Sequence, residues 1–291
     1  MLNGSKLGSC NFSLDFVSYA CMNDTRGEDN TMTATRFPAV AGLFYAADAW
    51  QLEQDVQHLL ASARSYDFKP KALIVPHAGY LYSGAVAATA YASLHSVAST
   101  IQRVVLLGPA HRVAVHGLAL PGVDIFETPL GHVELDTVLV SVIAHLPQVI
   151  IHRETHALEH SLEVQLPFLQ SVLSDFTLLP LVVGMTSAEA VAEVLDCLWG
   201  GKETLIVISS DLSHYLPYAA AQHVDSETVQ SILQLRQPIE QDHACGSIPI
   251  NGLIIAARKH HLTPHLLDLR NSGDTAGSRD QVVGYTAIAF N

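Results

Sequence analysis

Residues 72–80 have the sequence ALIVPHAGY, in which an aliphatic run is followed at once by proline, histidine and glycine. A similar order recurs at residues 104–111, VVLLGPAH, and at residues 205–214, LIVISSDLSH. Continuous runs of Val, Ile and Leu are typical of strands that are buried on both faces in the middle of a parallel sheet. Helical patterns separate these runs, so the sequence predicts an α/β fold.

The whole pattern predicts a single domain with a central, mostly parallel or mixed sheet flanked by helices. Besides the strands ending at residues 77 and 108, strands are predicted at residues 118–120, 133–135, 176–183, 204–209 and 282–290. Helices are predicted at residues 48–63, 84–94, 136–146, 156–173, 187–199, 218–235 and 249–259. Asp48 is expected to cap the first helix through its carboxylate.

The first 35 residues are polar and aperiodic, and we expect them to form a disordered extension before a domain at residues 36–291. An alternative is that Met32 is the true start of the protein. No apolar stretch approaches the ~18 residues that span a bilayer, and no signal peptide is predicted.

Composition excludes several classes of function. The chain has 15 Lys and Arg against 28 Asp and Glu, a net charge of −13, which argues against nucleic acid as a partner. No GxGxxG, P-loop or GxSxG motif occurs in a suitable context, which argues against nucleotide cofactors and serine hydrolysis. The four cysteines (Cys10, Cys21, Cys197 and Cys245) lie far apart, so a reduced protein in the cytoplasm is expected.

Two histidines follow predicted central strands. His77 lies before Ala-Gly, where the glycine allows a tight turn, and His111 follows Gly-Pro-Ala. Ligands of parallel sheets bind beyond the carboxyl ends of the strands. The two side chains are therefore a candidate pair of imidazole ligands for Zn, Fe, Cu or Ni.

Asp211 and His214 follow the third strand and are three residues apart, so in a turn they share a face. An aspartate that orients a histidine is a common arrangement for proton transfer or for supporting a metal ligand. The competing interpretation is that Ser210 or Asp211 caps a helix.

Two cysteines have different sequence surroundings. Cys245 precedes Gly-Ser-Ile-Pro at the predicted start of a helix, where the helix dipole is expected to favour its thiolate. The alternative is a buried free cysteine that behaves as a small hydrophobe. Cys197 lies in an apolar helical run and is predicted to be in the core.

A further group lies in the predicted helix at residues 156–173. His156, His160 and Glu163 fall on one stripe of such a helix, with Glu159 beside them. The spacing is not that of a zinc protease, and a solvated charged face explains it equally well.

The motifs occur in an order that resembles a known family. They are RFPAVAGLFY, PHAGYLYSG, LGPAH, EHSLEVQLPF, SSDLSHY, ACG and NSGD followed by VVGY, and they extend over about residues 36–291. This order resembles the Memo family, in its bacterial branch called AmmeMemoRadiSam system protein B. The resemblance implies a fold like that of the class III extradiol non-heme iron dioxygenases.

Carried over by motif, the resemblance implies that His77, His111 and Cys245 bind a metal. It places Asp211, His214 and His160 along the same crevice, as candidate catalytic residues. Many relatives carry a basic residue after Cys-Gly, where this chain has Ser247, so the charge beside the metal differs here.

The leading hypothesis is a metal-dependent redox protein that uses a divalent transition metal, with iron expected and copper or zinc as alternatives, and acts with a radical-SAM partner protein. A small molecule or peptide would bind in the cleft, and neither nucleic acid nor a membrane is expected as a partner. The alternatives are a non-catalytic module that binds a peptide or a metal, and metal-assisted hydrolysis. The sequence names no substrate.

Overall fold

The structure, a computed structural model, describes residues 33–64 and 66–291, in which strands alternate with helices. In these residues the strands are β1 Thr35–Arg36, β2 Ala72–Val75, β3 Arg103–Pro109, β4 Leu118–Leu120, β5 Ile125–Thr128, β6 Gly131–Glu134, β7 Val149–Ile151, β8 Thr177–Val183, β9 Thr204–Ser209, β10 His214–Leu216, β11 Pro264–Asn271 and β12 Val282–Phe290.

The α-helices of the same residues are α1 Ala49–Ser62, α2 Tyr80–Ala92, α3 Thr137–Ile143, α4 Arg153–Ala157, α5 Leu166–Val172, α6 Ala188–Cys197, α7 Tyr218–Leu233, α8 Ser247–Lys259 and α9 Ser272–Thr275. Short 3₁₀ turns lie at Ala98–Thr100 and Glu163–Gln165. Asp48 caps α1 as predicted, because its carboxylate accepts a hydrogen bond from the Gln51 backbone N–H.

One large mixed sheet forms the centre of the fold. Its strands run in the order β10-β12-β2-β9-β3-β8-β4-β7, and β11 also pairs with β12. The pairs β2–β9, β9–β3 and β3–β8 are parallel, whereas β12 joins β2 in the antiparallel direction. The predicted α/β fold with a mixed sheet flanked by helices is therefore confirmed. A smaller sheet consists of β1, β5 and β6.

Successive side chains of the central strands lie on opposite faces of the sheet and pack in two different hydrophobic cores. Leu73 and Val75 pack with α1, α2 and α5 on one face of the sheet, while Ile74 packs with α3, α6, α7 and α8 on the other. All three side chains are fully buried. The aliphatic runs are continuous because both faces are covered.

The predicted helix at residues 156–173 is wrong. In its place the chain forms α4, an irregular stretch, a 3₁₀ turn and α5. Pro167 lies in the first turn of α5, where its missing N–H costs nothing but where an earlier helix could not continue through it. In addition, the Glu159 carboxylate accepts hydrogen bonds from the backbone N–H groups of His160 and Ser161, which draws these groups away from helical partners.

The predicted extension falls mostly on residues 1–32, which lie outside the described residues. Residues Thr33–Asn291 form one compact unit, and Thr35 already belongs to β1. Within the part of the chain that the structure describes, no helix combines the length and the apolar character needed to cross a membrane.

Candidate metal centre

Three neighbouring strands bring the predicted site residues together. His77 lies two residues beyond β2, Asp211 two beyond β9 and His111 two beyond β3, and these parallel strands are adjacent in the order β2-β9-β3. The ring centroids of His77 and His111 are 5.1 Å apart. The carboxyl edge of the sheet therefore collects these groups in one crevice.

The tautomer of His77 follows from its hydrogen bonds. Its Nδ1 lies 2.9 Å from Ser209 Oγ, and this hydroxyl donates its single hydrogen to the Ser161 carbonyl at 2.6 Å. Ser209 must then accept a hydrogen bond from Nδ1–H, as it does from the Gln165 amide at 2.8 Å. Nε2 of His77 is left with a free lone pair, the form in which imidazole binds metals.

Burial keeps His77 neutral. The side chain is almost inaccessible, and burial lowers its pKa well below the ordinary value of 6.5, with further lowering by His111 and His160. The ring is thus neutral at physiological pH, with Ser209 at Nδ1 and a lone pair on Nε2.

His111 is oriented by Glu159. Its Nδ1 lies 2.9 Å from Glu159 Oε1, and its backbone N–H donates to Oε2 at 2.6 Å. An ionised carboxylate can only accept, so Nδ1 carries the hydrogen and Nε2 is free. The side chain is 28% exposed, which leaves this nitrogen accessible from the crevice.

Glu159 itself is ionised. Burial alone would raise its pKa, but the bonds from the His111 ring and from the backbone N–H groups of His111 and Ser161 outweigh burial and lower the pKa to about 2. The carboxylate is therefore a fixed anion beneath the site, in the position that commonly supports a metal-binding histidine.

His160 joins the same cluster. One nitrogen each of His77, His111 and His160 lies within 4.8 Å of the others, a spacing that suits a common metal ion. Among the described residues, His160 Nδ1 is buried without a hydrogen-bond partner, since Glu159 Oε1 at 3.3 Å is not placed to accept from it. Burial lowers the pKa of His160 to about 4, so its ring is neutral.

Cys245 adjoins this cluster but is not part of the three-histidine group. Its sulfur lies 3.3 Å from Nε2 of His77, the nitrogen with the free lone pair, so the thiol donates to that nitrogen. Burial, followed by the charge of Asp211, raises the pKa of the thiol to about 12. The expectation of a dipole-stabilised thiolate is wrong for the metal-free chain, and a bound cation would be needed to deprotonate this sulfur.

Asp211 and His214 are present but are not bonded to each other. The Asp211 carboxylate accepts a hydrogen bond from the His77 backbone N–H at 2.7 Å, and burial raises its pKa to about 7. His214 is half-buried at the start of β10, and burial lowers its pKa, with His111 adding to the effect. Within the described residues no hydrogen bond joins Asp211 to the His214 ring, so Asp211 fixes the His77 backbone rather than the His214 tautomer.

Cys197 is exposed, so its predicted place in the core is wrong. The buried residues of α6 are Val191, Ala192, Val194 and Leu195, and the buried Leu198 follows them. Cys197, the last residue of α6, lies outside this buried group. It contributes to neither core.

The comparisons with known proteins identify the family. The sequence model of a family described as Memo-like protein matches residues 36–289. The chain belongs to the Memo family. Curated relatives include MEMO1 family proteins of Metallosphaera sedula (34% identical) and Aquifex aeolicus (36% identical), each matched over 88% of this chain, and over 99% and 98% of those proteins.

A comparison of structures gives a solved structure of low similarity. The crystal structure of an uncharacterized protein from Escherichia coli K12 shares 15% identity with this chain at a TM-score of 0.49, covering 75% of this chain and 98% of that protein.

Sequence reasoning missed the residues that hold the histidines in place. Glu159 was placed on a helix beside a charged stripe, although it orients His111 and bonds the His160 backbone. Ser209 and Gln165 were not singled out at all. A signal existed, since Ser209 ends the third aliphatic run and Gln165 and Glu159 both lie within the motif EHSLEVQLPF.

Proposed function

We propose that this Memo-family chain is a metal-binding protein of redox type, in which His77, His111 and Cys245 hold iron or copper. The observation that carries the proposal is the pair of fixed tautomers: Ser209 and Glu159 occupy the Nδ1 atoms, so each Nε2 keeps the lone pair that can bind a metal, and Nε2 of His77 lies 3.3 Å from the Cys245 sulfur. Imidazole with a soft thiolate suits copper and iron better than magnesium or calcium.

His160 Nδ1, which has no hydrogen-bond partner among residues 33–64 and 66–291, also fits a cation at this place, because a buried nitrogen without a partner otherwise costs free energy. A bound ion of this kind supplies Lewis acidity and, for iron or copper, electron transfer. The chain itself binds the ion, keeps His111 in place through Glu159, and shields the buried His77 from water.

Proton transfer at the site falls to the neighbouring groups. His214 and His160 have lowered pKa values because of burial, so both are neutral bases near pH 7. Asp211, with a pKa raised to about 7, holds or releases a proton close to neutral pH. We assign these three residues to proton transfer around the substrate.

A second candidate function is metal-assisted hydrolysis, which the three-histidine group favours. Three histidines with an open fourth position form a known type of catalytic zinc site. In this alternative His160 replaces Cys245 as the third ligand. A non-catalytic module that binds metal or a peptide would use the same ligands without turnover.

Metal analysis of single variants separates these functions. We expect Cys245→Ala to lose most bound iron or copper, whereas Cys197→Ala, the matched change at the exposed cysteine, keeps it. Metal content would be measured by mass spectrometry on protein purified without chelators, together with oxygen consumption of the iron-loaded protein. Equal metal content in the two cysteine variants, with loss in His160→Ala, would favour the hydrolytic zinc site instead.

The setting in the cell is part of the proposal. We place the protein in the cytoplasm, in company with a radical-SAM protein, because the motif order resembles the bacterial branch in which the two occur together. Affinity purification of the tagged full-length chain from its own cells tests this, and recovery without any radical-SAM protein would count against it.

A further inference from the structure

A cavity of about 260 Å³ opens beside two of the proposed donors, His111 and Cys245. It lies between the loop after β3, the end of β8 and the start of α8. Its apolar walls come from Ala114, Val115, Val183, Met185, Ile248 and Pro249. The cavity thus adjoins the candidate metal centre without being built from the ligands alone.

The walls of this cavity are held in place by backbone contacts. The Gly184 N–H donates to the Gly117 carbonyl at 3.0 Å, and the Met185 N–H donates to the Val115 carbonyl at 2.8 Å. A Cβ at Gly184 would lie 2.0 Å from the Val115 carbonyl oxygen, so only glycine allows this close approach. The wall is therefore formed before any ligand binds.

The cavity carries no formal charge of its own. Among the described residues that line it there is no Asp, Glu, Lys or Arg, and the polar side chains are Gln241 and Ser247 beside the two donors. A charged group placed against these apolar walls would lose its water without gaining a counter-ion. The volume is slightly below the ~300–1,000 Å³ of common ligand pockets, so it accommodates only a small group.

We propose that this cavity is the substrate subsite of the metal centre and takes the apolar end of a small uncharged molecule, whose polar end faces His111 and Cys245. That the bound molecule is a substrate rests on the proposed function, whereas the cavity and the class of molecule that fits it do not depend on a bound ion. Ile248 and Ala114 would then determine which substrates fit.

The test uses benzyl alcohol as the probe, with benzoate and the benzylammonium ion as charged analogues of the same ring size. Binding to the full-length, chelator-treated protein would be followed by NMR titration. We expect saturable binding of benzyl alcohol, and binding of each charged analogue that is at least about tenfold weaker. Equal binding of a charged analogue, or no saturable binding of benzyl alcohol, would overturn the proposal.

Two variants locate the probe. Ala114→Trp fills the cavity from its exposed mouth, and Ile248→Arg adds a charge to its wall, so both should weaken benzyl alcohol binding at least about tenfold. Val138→Arg is the control, since Val138 is 60% exposed on α3 and does not line the cavity. Circular dichroism would verify folding, and unchanged binding by Ala114→Trp would reject the site.

The titration is independent of the metal proposal. Binding of the probe is measured in chelator-treated protein. A chain that never binds metal can therefore still bind benzyl alcohol, and a chain that binds metal can fail to do so. Metal content of the wild type and of Ala114→Trp, measured in parallel, shows which of the two proposals has failed.

Discussion

Two oxygen atoms of Glu159 accept four hydrogen bonds, from the His111 ring and backbone and from the backbone N–H groups of His160 and Ser161. No other side chain of the described site touches two of the histidines in this way. At the scale of single residues, the geometry of the centre depends on this carboxylate, which lies outside the three-histidine group.

Glu159→Gln should therefore weaken metal binding while leaving every proposed ligand in place. An amide keeps only one oxygen, so in either orientation its NH₂ faces at least one backbone N–H that needs an acceptor, and the negative charge beside the His111 ring is lost. We expect an affinity loss of about 10–100-fold, as is usual for such supporting groups, measured by competition with a chelator of known affinity. Glu154→Gln, the same change at an exposed position of α4, is the control, and equal affinities of the two variants would contradict the prediction.

A second buried carboxylate affects the dependence of stability on pH. Asp225 on α7 accepts a hydrogen bond from the Ser213 backbone N–H at 3.0 Å, and a Cβ at Gly284 would lie 2.1 Å from its Oδ2. The pKa of Asp225 is raised from 3.8 to about 6 by burial. The hydrogen bond from Ser213 and the charge of His243 lower the pKa, but they offset only part of the rise. The folded state thus binds a proton more readily than the unfolded state does.

The sign of the effect follows from linkage. Because the folded pKa is the higher one, the contribution of Asp225 to stability is present below about pH 3.8 and is lost as the pH rises through about 6. Relative to Asp225→Asn, the free energy of unfolding of the wild type should increase as the pH falls from 7 to 4. Urea denaturation at several pH values measures this, with Asp242→Asn, at an 84% exposed side chain, as the control. Parallel pH profiles of the wild type and Asp225→Asn would disprove it.

At the scale of elements, Glu163 connects two parts of the chain. It lies in the 3₁₀ turn before α5 and binds the segment between β1 and α1. Its carboxylate accepts hydrogen bonds from Arg36 Nη1 at 2.8 Å, from the backbone N–H groups of Ala39 and Val40, and from the Tyr45 hydroxyl at 2.6 Å. Arg36 also donates a hydrogen bond to the Glu159 carbonyl, so the same group of contacts extends to the residue before His160.

Glu163→Gln should lower the free energy of unfolding by about 3–5 kcal/mol, because it leaves the buried Arg36 guanidinium without its counter-ion. Lys259→Met is the control, because it breaks the ion pair between Lys259, 62% exposed, and Asp196, 26% exposed. This change should lower the free energy of unfolding by at most about 1 kcal/mol. Urea denaturation measures both. Similar losses in the two variants would show that burial does not decide the strength of the Glu163 pair.

The central strands were predicted from their continuous apolar runs, whereas helices such as α1 were predicted from periodic ones. The strands at residues 118–120, 204–209 and 282–290 have the predicted bounds. β11 was missed because its sequence alternates, with Leu267 buried and Asp268 and Arg270 only half-buried, so it lacks the continuous run that marked the central strands.

At the scale of the whole molecule, the rule that parallel strands end at one edge was enough to predict that His77, His111 and Asp211 lie together. It was not enough for His160, whose position depends on backbone turns that Glu159 imposes and that no periodicity reveals. The packing of Cys245 against His77 Nε2 also required tertiary structure, because α8 meets the sheet only through long-range contacts.

The order of strands also constrains how the protein is made. β2, which leads to His77, pairs at Ala72 with Ile206 on one side and with Phe290 on the other. Both partners leave the ribosome long after His77 does, and such distant pairings form slowly during folding. A half-synthesised chain therefore lacks the strand pairings that flank β2 in the folded protein. The candidate metal centre is therefore expected to form only after β9 and β12 have been made and have paired with β2.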